Sequence, residues 1–100
     1  MKAYVLVNVN VKDPGRYADY AKAAHPTVTA HGGRYLARGG RAERLEGSVG
    51  VNRVVVLEFP SYEAALGCYH SPEYQAAKKL RDGKAEADLV VIEAYDDKQT

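Results

Sequence analysis

The segment from Arg53 to Ser61 constrains the fold of this chain more than any other. Its strand portion is apolar and mostly β-branched, which predicts a central strand that is buried on both faces. Pro60 ends that strand, because proline cannot donate to a strand ladder. Ser61 follows as a helix N-cap, and Glu63 lies in the first turn, where the helix dipole favours negative charge. Glu58 is the one charged residue inside the otherwise apolar strand.

Strand and helix patterns alternate along the rest of the chain. They predict strands over residues 3–11, 34–38 and 87–95, and helices over residues 14–31, 62–69 and 72–82. Because Pro26 lies inside the first helical pattern, we expect a kink or a break near His25. A short continuation of the second strand is expected over residues 42–45, beyond the Gly39-Gly40 pair, and a turn over residues 47–50.

This order of elements predicts a ferredoxin-like α+β fold. Right-handed connections arrange the order βαββαβ as a four-stranded antiparallel sheet with the helices on one face. The other face would carry Tyr4, Leu6, Val54 and Val56, which are too apolar to remain in water. We therefore expect a homodimer in which two sheets pack face to face as a dimeric α+β barrel.

Composition limits the functions that the chain can have. A length of 100 residues suits a single domain, expected over residues 1–96 with a polar tail over 97–100. The net charge of +1, without a basic block, gives no indication of nucleic-acid binding. Neither a signal peptide nor a membrane-spanning apolar run is present, and the single cysteine, Cys68, gives no sign of an oxidising compartment. A cytoplasmic location is the expectation.

Several segments resemble the uncharacterised DUF1330 family. They are residues 32–40 (GGRYLARGG), 45–47 (LEG), 53–61 (RVVVLEFPS) and 69–75 (YHSPEYQ), and the resemblance extends from about Tyr4 to Ala94. It implies the ferredoxin-like fold and the dimeric α+β barrel superfamily. That superfamily also contains cofactor-independent monooxygenases, haem-degrading monooxygenases, lactone isomerases and proteins without a known reaction. Fold alone does not choose between these activities.

Three polar residues on the strands are candidates for a ligand site. If the valine face of the first strand packs on the helices, Asn8 faces the barrel interior. Strand alternation places Glu58 and Arg38 towards the same side, where Arg38 would bind an anionic or carbonyl-bearing ligand and Glu58 would act as a base. The alternative is that Arg38 and Glu58 form a structural ion pair, within the chain or across the dimer.

The predicted helices add three further candidates. His25 is a candidate general base, and Tyr20 and Tyr69 are candidates to line the pocket mouth and donate hydrogen bonds. Each also has a simpler interpretation, as a partly buried polar residue or as core packing. No spacing typical of a metal site or a phosphate-binding loop is present, so neither a metal nor a cofactor is expected.

Two functions remain open at this point. The first is a cofactor-independent enzyme, monooxygenase- or isomerase-like, acting on a small polar or aromatic metabolite. The second is a non-catalytic, ligand-binding or stress-related module whose pocket residues are structural. An RNA-binding domain of the same strand order is rejected, because Glu58 lies where such domains need a stacking aromatic side chain.

Overall fold

A computed structural model of the chain describes residues 1–47 and 53–96. In chain order the elements are β1 (Ala3–Val11), α1 (Pro14–Ala30), β2 (Arg34–Arg38), β3 (Arg53–Phe59), α2 (Tyr62–His70), α3 (Pro72–Lys78), a 3-10 turn (Lys79–Arg81) and β4 (Ala85–Glu93). The second helical region is divided at Ser71. The side chain of Ser71 accepts a hydrogen bond from the amide of Tyr74 and so begins α3.

The four strands form one antiparallel sheet in the order β2-β3-β1-β4. The register places Leu6 of β1 opposite Val56 of β3 and Val90 of β4. The two strands of each βαβ half are separated by one strand of the other half, and β1 and β3 lie at the centre of the sheet. This is the ferredoxin-like arrangement, and the fold expected from the sequence is confirmed.

The helices cover one face of the sheet and form the hydrophobic core with it. Alternation along the strands sends every second side chain towards the helices. The buried core consists of Val7 and Val9 of β1, Val55, Leu57 and Phe59 of β3, Tyr17 and Val28 of α1, and Ala65 and Cys68 of α2. The valine face of β1 therefore packs on the helices, as the sequence predicts.

A Schellman motif ends α1 and fixes the route into β2. The amide of Gly33 donates to the carbonyl of Val28 at 2.9 Å, and the amide of Gly32 donates to the carbonyl of Thr29 at 3.0 Å. Gly32 has a φ of 79°, a left-handed conformation that glycine adopts without strain. Gly33 then lies directly against the ring of Phe59, and this contact joins the end of α1 to the central strand.

The other face of the sheet is uncovered in the single chain and is rich in apolar side chains. Exposed fractions are 41% for Leu6, 56% for Val90 and 51% for Ile92, which are neighbours across β1 and β4. Val54 and Val56 continue this surface onto β3 and are half-buried. A contiguous apolar surface of this kind is typical of an interface.

The break expected near His25 is wrong, because α1 is helical from Pro14 to Ala30 with Pro26 inside it. Proline removes one backbone hydrogen bond, whose acceptor would be the carbonyl of Lys22 on the exposed side of the helix. The turns around it are held by packing, since Ala24 and Val28 are buried against the sheet and α3. Tertiary packing therefore outweighs the loss of one exposed hydrogen bond.

The expected continuation of β2 over residues 42–45 is also wrong. The amide of Gly39 makes the last ladder contact, to the carbonyl of Val54 at 3.1 Å, and Gly39 has a φ of 68° that turns the chain away. Leu45 is 85% exposed, so the segment has no apolar face to pair. The last strand begins and ends two residues earlier than predicted. The turn over 47–50, after its first residue, and the tail over 97–100 lie outside the described residues.

Within the described part of the chain, no helix has both the length and the apolar character needed to cross a lipid bilayer.

Candidate functional site

A β-bulge in β2 decides which side of the sheet Arg38 occupies. Tyr35 lies opposite Leu57 and Ala37 lies opposite Val56, so Leu36 has no partner on β3. A residue inserted in this way reverses the facing of everything after it. Arg38 consequently lies opposite Val55, a core residue under the helices. The prediction that Arg38 points towards the same side of the sheet as Glu58 is wrong for this reason.

On the helix side, Arg38 joins His25 and Tyr35 in a stacked group. The imidazole of His25 is parallel to the ring of Tyr35 within 7°, with centroids 5.3 Å apart, and the guanidinium of Arg38 lies 4.5 Å from the ring centre. The Nη1 of Arg38 donates to Nδ1 of His25 at 3.3 Å. Arginine has donors only, so Nδ1 of His25 is the acceptor in this contact.

A cavity of about 70 Å³ lies between the sheet and the helices. Five tyrosines line it: Tyr17 and Tyr20 from α1, Tyr35 from β2, Tyr69 from α2 and Tyr74 from α3. The hydroxyls of Tyr20 and Tyr74 are 2.7 Å apart and hydrogen-bonded. Burial, followed by the proximity of Tyr74, raises the pKa of Tyr20 above its ordinary range, so its phenol stays neutral at physiological pH. The cavity is therefore aromatic with neutral hydroxyl groups.

A larger groove of about 780 Å³ opens to solvent beside α1. It has four lining residues in common with the cavity, namely Tyr17, Ala21, Arg38 and Arg53. Lys22 and His25 extend the groove along α1. The guanidinium of Arg53 lies 5.3 Å from the centre of the Tyr17 ring, at the junction of the two spaces. The enclosed aromatic cavity is thus adjacent to an open, cationic groove.

Glu58 and Asn8 lie on the opposite face of the sheet from this site. Glu58 accepts from Nζ of Lys2 and Nε of Arg34, each at 2.7 Å, and these hydrogen bonds lower the pKa of its carboxyl group. Asn8 lies opposite Val54 on the uncovered face and is exposed. The expected convergence of Glu58 and Asn8 with Arg38 is wrong. The alternative ion pair is wrong as well within the chain, because the arginine that binds Glu58 there is Arg34. The ion pair across the dimer stays a prediction.

The structure brings together four of the six candidates from the sequence. Tyr20, Tyr69 and Arg38 line the cavity, and His25 lines the groove beside them. Their role in binding stays a prediction. The sequence analysis missed Arg53, although simple alternation with Val55 along β3 places it on the helix side.

Cys68 is the cysteine of the cavity lining. It is buried, and its thiol donates to the carbonyl of Thr27 at 3.6 Å. Burial raises the pKa of the Cys68 thiol, so the reactive thiolate is disfavoured. In residues 1–47 and 53–96, no three side chains of His, Cys, Asp or Glu come together as a metal site would require.

Comparison with known proteins assigns the family. The family model described as a domain of unknown function, DUF1330, matches residues 2–95. The chain belongs to the DUF1330 family. No curated protein matches this DUF1330 domain.

Solved structures with the same fold include uncharacterised proteins and an oxygenase. A protein of unknown function from Rhodopseudomonas palustris is 21% identical, with a TM-score of 0.78 over 95% of this chain and 83% of that one. A dimeric, ferredoxin-like protein of unknown function from Bacteroides fragilis is 17% identical, with a TM-score of 0.67 over 93% and 96%. SnoaB from Streptomyces nogalater, a cofactor-independent oxygenase, is 10% identical, with a TM-score of 0.67 over 95% and 94%. At these identities the likeness shows the fold alone.

Proposed function

We propose that this DUF1330 protein is a homodimer that binds a small aromatic or polar metabolite between its sheet and its helices. The observation that carries the proposal is the cavity lined by five tyrosines, which shares the lining residues Arg38 and Arg53 with the adjacent groove. Binding sites for small molecules are typically concave and mostly apolar, with a few polar groups that orient the ligand. The aromatic walls and the hydroxyl pair of Tyr20 and Tyr74 fit that description.

The uncovered sheet face supports the homodimer. Its apolar side chains, including Leu6, Val90 and Ile92, lose contact with water when two sheets pack together. The similar protein from Bacteroides fragilis is dimeric, which is consistent with this assembly. The predicted cytoplasmic location stays a prediction.

Binding without catalysis fits the site better than an enzyme does. Glu58, the expected base, is held by two cations on the opposite face, and Nδ1 of His25 is occupied by Arg38. Burial raises the pKa of the Tyr20 phenol, so it stays neutral and does not supply the phenolate that could act as a base. The second candidate is a cofactor-independent enzyme, monooxygenase- or isomerase-like, and it is favoured by the shared fold with SnoaB.

Native mass spectrometry of the protein purified gently from its own host tests ligand binding. We expect a dimer that carries a small molecule. Ala21 lines both the cavity and the groove, so Ala21→Leu should close their junction and remove the bound molecule. Ala30→Leu is the matched control, because Ala30 is exposed at the end of the same helix. A wild-type dimer without ligand that also binds no member of an aromatic fragment library by NMR contradicts the proposal.

Sedimentation velocity tests the dimer. Leu6→Lys places a charge in the uncovered apolar face and should produce monomers, because an unpaired charge in an interface is strongly unfavourable. Leu45→Lys is the matched control, because Leu45 is 85% exposed on the segment after β2. A monomeric wild-type protein, or equal dimer populations in both variants, argues against this interface.

A further inference from the structure

We infer that the groove beside α1 binds a small aromatic acid, with its carboxylate at Arg38 and Arg53 and its ring against the tyrosine side chains at the junction with the cavity. The inference rests on the proposed ligand-binding function and names the class of ligand. The cavity supplies aromatic walls and neutral hydroxyls, and the groove supplies cations. A molecule that extends across their junction therefore needs an apolar, planar end and an anionic end.

The charge of the groove is strongly biased compared with the whole chain. The chain has 14 lysines and arginines and 13 aspartates and glutamates, which is nearly balanced. The groove is lined by Lys22, Arg38 and Arg53 together with His25, and by no carboxylate in the described part of the chain. A concave site lined by charges of one sign attracts ligands of the opposite sign.

Within the part of the chain that the structure describes, no acidic side chain forms an ion pair with a cation of the groove. The ion pairs found within residues 1–47 and 53–96 are Lys2–Glu58, Arg34–Glu58 and Lys12–Glu86, and none of them involves a groove residue. The Nε of Arg53 is buried and has no hydrogen-bond partner among the described residues. Buried donors in folded proteins nearly always have an acceptor. A carboxylate at the junction would supply acceptors to the Arg53 guanidinium.

Both arginines are held in place before a ligand arrives. The guanidinium of Arg38 is fixed by His25 and by stacking on Tyr35. The guanidinium of Arg53 lies between the Tyr17 ring and Gly39, where any side chain at position 39 would collide with Nη1 of Arg53. Groups that are already ordered lose less conformational freedom on binding. Arginine also matches carboxylate geometry with two parallel N–H donors.

Isothermal titration calorimetry with benzoate, benzamide and inorganic phosphate tests the inference on the full-length protein. Benzoate and benzamide share a ring and differ in charge, so the ratio of their affinities reports the anionic subsite. We expect benzoate to bind about tenfold to a hundredfold tighter than benzamide, the range of a hydrogen bond to a charged group. Inorganic phosphate should bind more weakly than benzoate, because it has no ring for the cavity.

Arg53→Gln and Arg38→Gln should each reduce the preference for benzoate over benzamide towards equal affinities, while the affinity for benzamide is kept. Arg16→Gln is the matched control: it removes the same charge from exposed α1 surface outside the groove. Retained benzamide binding shows that each variant is folded, so a loss confined to benzoate supports the inference.

The alternatives give different results. Equal binding of benzoate and benzamide by the wild-type protein overturns the anionic subsite but leaves the proposed function intact. Phosphate that binds as tightly as benzoate overturns the aromatic class. Absence of binding by both benzoate and benzamide at millimolar concentration overturns the inference together with the proposed site.

Discussion

Replacement of Gly33 by alanine should destabilise the protein, although the change adds a single methyl group. A Cβ at this position would lie 2.6 Å and 2.8 Å from Cε1 and Cζ of Phe59, and 2.8 Å from Cγ1 of Val28. Both neighbours are core residues, 2% and 5% exposed, so neither can move into empty space. Overpacking of this kind typically costs ~1–3 kcal/mol.

The magnitude combines two opposing contributions. Alanine reduces the conformational freedom of the unfolded chain, which returns ~0.4–1 kcal/mol. We therefore expect Gly33→Ala to lower the free energy of unfolding by about 1–2 kcal/mol. For a domain of this size, each kcal/mol corresponds to roughly 4–8 °C in Tm. Urea unfolding and thermal melts at one fixed protein concentration measure both quantities, because association makes Tm depend on concentration.

Gly40→Ala is the matched control for this experiment. Gly40 is exposed, has no positive φ, and a Cβ there has no atom within 4 Å. The Gly40→Ala substitution should raise the free energy of unfolding by ~0.4–1 kcal/mol, because alanine reduces the conformational freedom of the unfolded chain and makes no new contact in the folded one. The reasoning is refuted if Gly33→Ala behaves like this control. A smaller side chain at position 59 should reduce the penalty, so Phe59→Leu and Gly33→Ala should show a coupling energy of about 0.5 kcal/mol or more.

Two further predictions concern polar groups on either side of the sheet. Hydrogen bonds from Lys2 and Arg34 lower the pKa of Glu58, so these contacts stabilise the folded protein as long as the carboxylate is charged. Their contribution to folding stability is complete above the unfolded glutamate pKa, ~4.3, and is lost as pH falls through the folded pKa. Glu58→Gln should therefore flatten the decline of stability below pH ~5, measured by urea unfolding across that range; an unchanged decline contradicts the assignment. Tyr20→Phe removes one of two hydroxyls that are 2.7 Å apart and should lower the free energy of unfolding by ~0.5–1.5 kcal/mol in the same assay. An equal loss when an exposed tyrosine is replaced by phenylalanine would contradict the attribution to this hydrogen bond.

Local patterns in the sequence were sufficient for the fold. The alternation along β1 and β3 and the cap signals at Ser61 and Ser71 are encoded within a few neighbouring residues, and each predicted its element correctly. The dominant apolar face of β1 also predicted which side of the sheet meets the helices. Where local rules failed, at Pro26, packing against the sheet compensated for the missing hydrogen bond.

The site was less predictable because it depends on pairing between strands. Nothing near Leu36 indicates that β3 leaves this residue without a partner, yet that single irregularity moves Arg38 to the helix side. The ion pair of Glu58 with Arg34 follows from their register, which becomes known only once β2 is paired. Arg53 is different, since alternation from Phe59 back along β3 was enough to place it beside the helices.

The unpaired residue in β2 also affects how relatives of this chain should be compared. If a homologue lacks one residue between positions 35 and 37, an arginine that aligns with Arg38 would point away from the helices, towards the apolar sheet face. The same residue in an alignment column would then lie on the apolar sheet face in one protein and in the groove beside α1 in the other. Insertions and deletions within this short edge strand therefore carry more functional information than the identity of the arginine that follows them.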